Sequence, residues 1–169
     1  MAEVFDVVDE HDEVVGRARR DEVHGNPSLI HRVAHVLVFN ETGRLYLQRR
    51  AADKDVQPNR WDTSVGGHVD AGEAYEAAAS REMREELGIV GPPLERLYRY
   101  RHENDYESEM VTTYRVIWDG PINPDPSEVS EGRFWTLDEI EATDPEVFTP
   151  NFLDELARFH AWRDTGARR

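Results

Sequence analysis

Three carboxylates constrain this chain more than any other feature. Glu82, Glu85 and Glu86 stand at i, i+3 and i+4 in Arg81-Glu82-Met83-Arg84-Glu85-Glu86-Leu87-Gly88-Ile89. At about 100° per residue on a helix they fall within an arc of roughly 100°. Ala79, Met83 and Leu87 point elsewhere and can anchor the helix on a core. Like charges at this spacing destabilise a helix. A hard divalent cation with oxygen ligands, shared with substrate phosphates, reverses that. The chain therefore has to supply a scaffold that holds an acidic helix face against something cationic, or leave that face in water.

The surroundings of the acids decide between these. Gly67, five residues, Glu73, seven residues, Arg81-Glu82, an apolar residue, one residue, Glu85-Glu86, one residue, then Gly88 and an apolar residue fill every defined position of the Nudix box over residues 67–89. By this motif the chain resembles Nudix hydrolases. The resemblance implies that Glu82, Glu85 and Glu86 hold Mg²⁺ or Mn²⁺ together with the backbone carbonyl of Gly67. It also implies that Arg81 orients the acids by ion pairing and that Glu73 holds Arg81 or caps the helix. Asp70 followed by Glu73 reads as a capping box at the helix start, and Gly88 reads as the stop.

Strands flank this helix. Val4–Asp9 and Glu13–Ala18 around a polar turn read as a hairpin. His31–Phe39, Arg44–Arg50, Leu94–Arg101, Met110–Trp118 and Glu131–Thr136 read as further strands, and Asp21–Ser28 as a polar connection. Leu137–Ala142 reads as a short helix. Thr149-Pro150 opens a last helix with a cap and a proline at its first position, and Phe152, Leu156 and Phe159 follow at helical spacing. Strands, a helix, more strands and a terminal helix predict an α/β chain with a mixed sheet between helices and an N-terminal β-hairpin, matching the α/β/α sandwich that the Nudix resemblance implies. A length of 169 residues suits one domain, with residues 1–30 as hairpin and connection and 31–165 as core.

Outside the box, from about Val8 to Trp135, the chain resembles type 1 isopentenyl-diphosphate isomerases and the hydrolases related to them. The resemblance rests on His24 and His31 seven residues apart, Arg49-Arg50, Lys54, Trp61, Ser64-Val65-Gly66-Gly67-His68, Tyr98–Arg101 and Glu107-Ser108-Glu109. Those isomerases hold a divalent metal with three histidines and two glutamates. The matching positions here are His24, His31, His68, Glu107 and Glu109, a possible second metal site. The isomerase also needs a cysteine immediately before the Gly-His of that run. Here the position is Gly66, and the chain contains no cysteine. The reading is a hydrolase in an isomerase-like frame.

The expected reaction is water attack on a phosphoanhydride bond in a nucleoside diphosphate or triphosphate, or in a nucleoside diphosphate linked to another group. Glu82 or Glu85, or Glu128 or Glu131 further along, are candidates for the general base. Arg49, Arg50 and Lys54 are candidates for phosphate contacts. The alternatives are an isoprenoid diphosphate isomerase and a non-catalytic binding module on the same fold. The net charge of −15 argues against duplex nucleic acid, which wants a basic stripe, and points to a small phosphorylated partner. No apolar run reaches membrane-spanning length and no signal peptide is evident, so a cytoplasmic monomer or homodimer is expected.

Overall fold

A computed structural model describes residues 3–165. Nine strands form one sheet: β1 Val4–Val8, β2 Val14–Arg19, β3 Ile30–Phe39, β4 Leu45–Arg50, β5 Trp61–Asp62, β6 Val65–His68, β7 Glu95–Glu103, β8 Ser108–Ile117 and β9 Val129–Trp135. Four helices accompany them: α1 Arg20–Val23, α2 Tyr75–Leu87, α3 Leu137–Ala142 and α4 Pro150–Asp164.

The sheet is built on β3. Its ten residues pair in parallel with β8 from Ile30↔Ser108 to Phe39↔Ile117, and antiparallel with β6 from Val33↔His68 to Val36↔Val65. β3 also meets β1 at Val7↔His31 and β4 at Phe39↔Leu45. The mixture of parallel and antiparallel ladders is the predicted mixed sheet.

Alternation along β3 sorts its side chains into two cores. Ala34, Val36 and Val38 face α2, where they meet Ala79, Met83 and Leu87. Leu37 and Phe39 face the other way, toward Ile140 of α3 and Phe152 and Phe159 of α4. Both faces of the sheet are thus covered by helices, the α/β/α arrangement. Continuous apolar runs in β3 follow from this two-sided burial.

Local signals behave as their chemistry requires. Thr149 Oγ1 accepts from the Phe152 amide at 3.1 Å and opens α4 ahead of Pro150. Gly88 closes α2 with φ +71, a left-handed position that glycine takes without strain. Two expectations are corrected. The connection over 21–28 begins with one helical turn, α1. The Asp70/Glu73 pair does not cap α2. Glu73 does accept from the Asp70 amide at 3.0 Å, but Gly72 turns the chain with φ +79 and the helix begins at Tyr75, with Ala74 as an uncapped N-cap. Glu73 is engaged elsewhere, with Arg81, and that contact explains why the pattern of a cap appears without its function.

Candidate active site

β6 and α2 bring the box together. The loop 69–74 returns the chain so that the α2 carboxylates stand over the backbone of β6. Gly67 is the closest point. A Cβ built there would lie 2.1 Å from Glu82 Cδ and 2.5 Å from its Oε2, so only a residue without a side chain lets this carboxylate settle against the strand. Arg81 ties the group. It donates to Glu73 at 2.9 and 3.0 Å, to Glu82 at 2.7 Å, to Glu85 at 3.4 Å and to the His68 carbonyl at 3.0 Å. Arg81 thus ties three carboxylates to one another and, through the His68 carbonyl, to the strand.

The acids are under electrostatic load. Burial pushes the Glu86 carboxyl well above its ordinary range, and the neighbouring Glu82 and Asp62 charges add to that. Burial raises Glu82 as well, against the opposing pull of Arg81. Among the described residues, Glu86 Oε2 is buried without a hydrogen-bond partner. The orphaned oxygen, the glycine cradle and the all-oxygen donor set fit a hard divalent cation.

These groups line a cavity of about 750 Å³. Its walls also carry Arg20, Arg50 and Lys54 as cations, and Asp62, Asp70, Glu109, Asp125 and Glu128 as acids. Of the three cations named as candidates for phosphate contacts, Arg50 and Lys54 line this cavity. Arg49 does not line the cavity; it donates to the Asn59 carbonyl at 3.0 Å. Of the two acids expected near the last loop, Glu128 lies on the wall, paired with Lys54, while Glu131 sits on β9 opposite Arg49, off the wall. Trp61 and Tyr100 are buried; Trp61 packs edge-on to Trp135 at 5.1 Å between ring centroids.

The histidine constellation also assembles. Ligand atoms of His24, His31 and His68 lie within 4.8 Å of one another, and so do those of His31, Glu107 and Glu109. His31 Nε2 stands 3.8 Å from Glu107 and 3.7 Å from Glu109, and His24 Nε2 stands 3.4 Å from Glu107. β3 places His31 against Glu109 in the β8 ladder, and β6 places His68 beside them. Burial drives the imidazoles down, His31 to about 4 and His68 to about 3, and holds both neutral. Among the described residues, both ring nitrogens of His31 are buried without hydrogen-bond partners. Neutral imidazoles with free lone pairs beside two carboxylates are what a borderline metal ion takes. His68 and Glu109 reach the wall of the main cavity, whereas His24, His31 and Glu107 do not.

Sequence reasoning missed several wall residues. His35, Gln48 and Thr63 lie in strand or strand-like stretches that read as scaffold; Glu155, buried behind the wall rather than on it, is hidden in the amphipathic pattern of α4. The one available signal was a histidine inside a valine-rich strand, four residues after His31 and on the same face. Burial works against the charged form of His35, but the Glu155 carboxylate at 2.7 Å outweighs it and leaves the imidazole raised.

A mixed sheet between helices, with an Arg-clamped acidic helix packed on a glycine strand, defines an α/β/α sandwich with a clustered-carboxylate site. The model of the NUDIX domain matches residues 29–156, and the chain belongs to the Nudix family. An uncharacterized Nudix hydrolase of Streptomyces coelicolor is 38% identical over 164 residues, covering 95% of this chain and 90% of that protein. The uncharacterized Nudix hydrolase YfcD of Escherichia coli K12 is 34% identical over 155 residues, covering 92% and 85%. The crystal structure of DR0079 from Deinococcus radiodurans matches with a TM-score of 0.71 at 31% identity, over 83% of this chain and 87% of that one. A MutT NUDIX hydrolase from Burkholderia pseudomallei, at 23% identity and a TM-score of 0.64, shares the fold over 76% of this chain and 96% of that one. Nudix hydrolases generally use divalent metal ions and act on small phosphorylated substrates. Among the described residues no helix is long and apolar enough to cross a membrane.

Proposed function

We propose that this protein is a Mg²⁺- or Mn²⁺-dependent hydrolase of a phosphoanhydride bond in a nucleoside diphosphate or triphosphate, including a nucleoside diphosphate linked to another group. The observation that carries the reading is the Gly67–Glu82 cradle with the unpartnered Glu86 oxygen beside it, since a fold has no reason to bury clustered carboxylates that nothing neutralises. Glu82, Glu85 and Glu86, with the Gly67 carbonyl, would hold the ion. When bound, it neutralises charge developing on the phosphates and lowers the pKa of water. Arg81 keeps the carboxylates in register through Glu73 and the His68 carbonyl. Arg50 and Lys54 face substrate phosphates across the cavity, which gives anionic substrates a cationic wall. His24, His31, His68, Glu107 and Glu109 form a second set that would hold Mn²⁺, Fe²⁺ or Zn²⁺. A cytoplasmic setting and one functional domain complete the reading.

The test is a hydrolysis screen over nucleoside di- and triphosphates and nucleoside diphosphate sugars with Mg²⁺ and Mn²⁺, reading released phosphate, pyrophosphate and nucleoside monophosphate. Metal-dependent cleavage lost in Glu86→Gln supports the reading. No cleavage of any compound in the screen would end it.

A further inference from the structure

His35 is among the cavity-wall side chains that belong to neither metal cluster. His35 lies in the middle of β3, opposite Gly66 in the β3–β6 ladder, and is only 7% exposed. Its Nδ1 stands 2.7 Å from Oε1 of Glu155 on α4. Glu155 has no exposed surface. Its carboxylate also accepts from the Tyr100 hydroxyl at 3.1 Å, from the Thr113 hydroxyl at 3.0 Å and from the Tyr98 hydroxyl.

Such a carboxylate is expensive to bury, and apolar residues of similar volume usually serve a fold as well or better. Core packing therefore does not account for it. Its effect on the imidazole is definite. A carboxylate on one ring nitrogen fixes which nitrogen remains free and how the ring is turned. Here Nδ1 faces Glu155, so Nε2 is the free nitrogen.

Gly66 decides where Nε2 looks. A Cβ at this position would lie 3.3 Å from Nε2 and 3.1 Å from Cδ2 of His35. Glycine leaves that edge of the ring open, at the position where the isomerases carry their cysteine. The next residue is Gly67, against which Glu82 is cradled. The same cavity is lined by Gln48 and Thr63, whose Oε1 and Oγ1 are buried without hydrogen-bond partners among the described residues. The free nitrogen thus stands in a polar recess of the cavity that the box carboxylates also line.

We propose that His35, oriented by Glu155, is the catalytic base of this cavity. The assignment rests on the hydrolase reading above. The water oxygen forms a bond to phosphorus as the bridging P–O bond breaks, and that bond's electron pair leaves with the departing phosphate. The proton of the water passes to His35 Nε2, while the Nδ1 proton stays on its hydrogen bond to Glu155. The imidazolium then releases its proton to solvent. Imidazole suits this role near neutral pH, and Glu155 is the positioning residue, touching no substrate.

The experiment uses the nucleotide that the wild type cleaves fastest, with saturating Mg²⁺ or Mn²⁺, and the variants His35→Ala, His35→Gln and Glu155→Gln. We expect kcat to fall about 10²-fold in both His35 variants with KM changed less than about 3-fold, and added imidazole to restore part of the kcat of His35→Ala. Glu155→Gln should lower kcat with the same KM split and remove the downfield Nδ1 proton resonance of His35. A wild-type kcat in His35→Gln and His35→Ala, or a loss confined to KM, overturns the assignment while Glu86→Gln still tests the hydrolase reading separately. If Glu155→Gln fails to fold, the two His35 variants and imidazole rescue decide. A wild type that cleaves nothing in the screen removes both.

Discussion

Replacing Gly67 with alanine perturbs the site without changing a single carboxylate. The new Cβ would stand 2.1 Å from Glu82 Cδ and 2.4 Å from Cγ, where ordinary contact begins at 3.4 Å. Gly67 has no left-handed backbone angle, so the main chain accepts alanine and its carbonyl stays in place. The contact is with the end of a flexible side chain, so Glu82 is what moves. It must retreat by roughly 1.3 Å, and a misplacement of about 1 Å at a reacting site costs on the order of 10²-fold in rate. That factor corresponds to about 2.7 kcal/mol of barrier. The same retreat pulls Glu82 away from Arg81 and from any shared ion. We therefore expect kcat on the best nucleotide to drop about 10²-fold, the metal-free melting temperature to stay close to wild type, and the rise in melting temperature on adding Mg²⁺ to shrink. Unchanged kcat together with an unchanged metal response would refute the cradle as a ligand-positioning device.

Four further outcomes follow from the same geometry. Glu85→Gln and Glu86→Gln should each lose at least ~10²-fold in hydrolysis with the fold intact, as read by initial rates beside far-UV circular dichroism; two fully active variants would remove the assignment. Millimolar Mg²⁺ or Mn²⁺ should raise the melting temperature, by the equivalent of about 2.7 kcal/mol at a hundred times its Kd, and a flat response would count against a site on α2. Isopentenyl diphosphate should remain unconverted, because Gly66 lacks the side chain that the isomerases use; dimethylallyl diphosphate above the blank, lost in His68→Ala, would overturn this. The metal-free protein should lose stability from His31 and His68 as pH falls. Burial sets His68 at about 3 and His31 at about 4, below the ordinary 6.5, so the unfolded chain binds more protons in that window and unfolding becomes easier toward its acid end. Glu109, raised by burial to about 7, acts in the opposite sense. A urea titration on either side of the window should show a shallower acid loss in His68→Asn than in wild type, and equal losses would contradict the neutral-imidazole assignment.

The box and its scaffold were legible because their signals are local. Charge spacing on one helix, the Gly88 stop and the Thr149-Pro150 start each need only a few neighbouring residues. Valine-rich runs exposed β3 and β8, and both five-ligand and three-acid sets came from spacing plus family resemblance. What stayed hidden depends on distance in sequence. Asp70 and Glu73 carried the pattern of a cap, but Arg81, eight residues past Glu73, takes up that carboxylate. His35 read as one more residue of an apolar strand, and Glu155 as a polar position on α4; 120 residues separate them, and only the packing of α4 onto β3 brings them together. Arg49 and Arg50 were indistinguishable as neighbours in sequence. The alternation of β4 sends one to the cavity wall and ties the other to the Asn59 carbonyl.

The most direct test of the hydrolase account follows the oxygen that enters the product. The protein is incubated with the nucleotide screen and Mg²⁺ or Mn²⁺ in ¹⁸O-labelled water, and the phosphorylated products are weighed by mass spectrometry. The account predicts one ¹⁸O in one of the two phosphorylated products of a cleaved nucleotide, dependent on added metal and absent in Glu86→Gln. Intact nucleotides throughout, with isopentenyl diphosphate converted to its isomer by the same preparation, would contradict it.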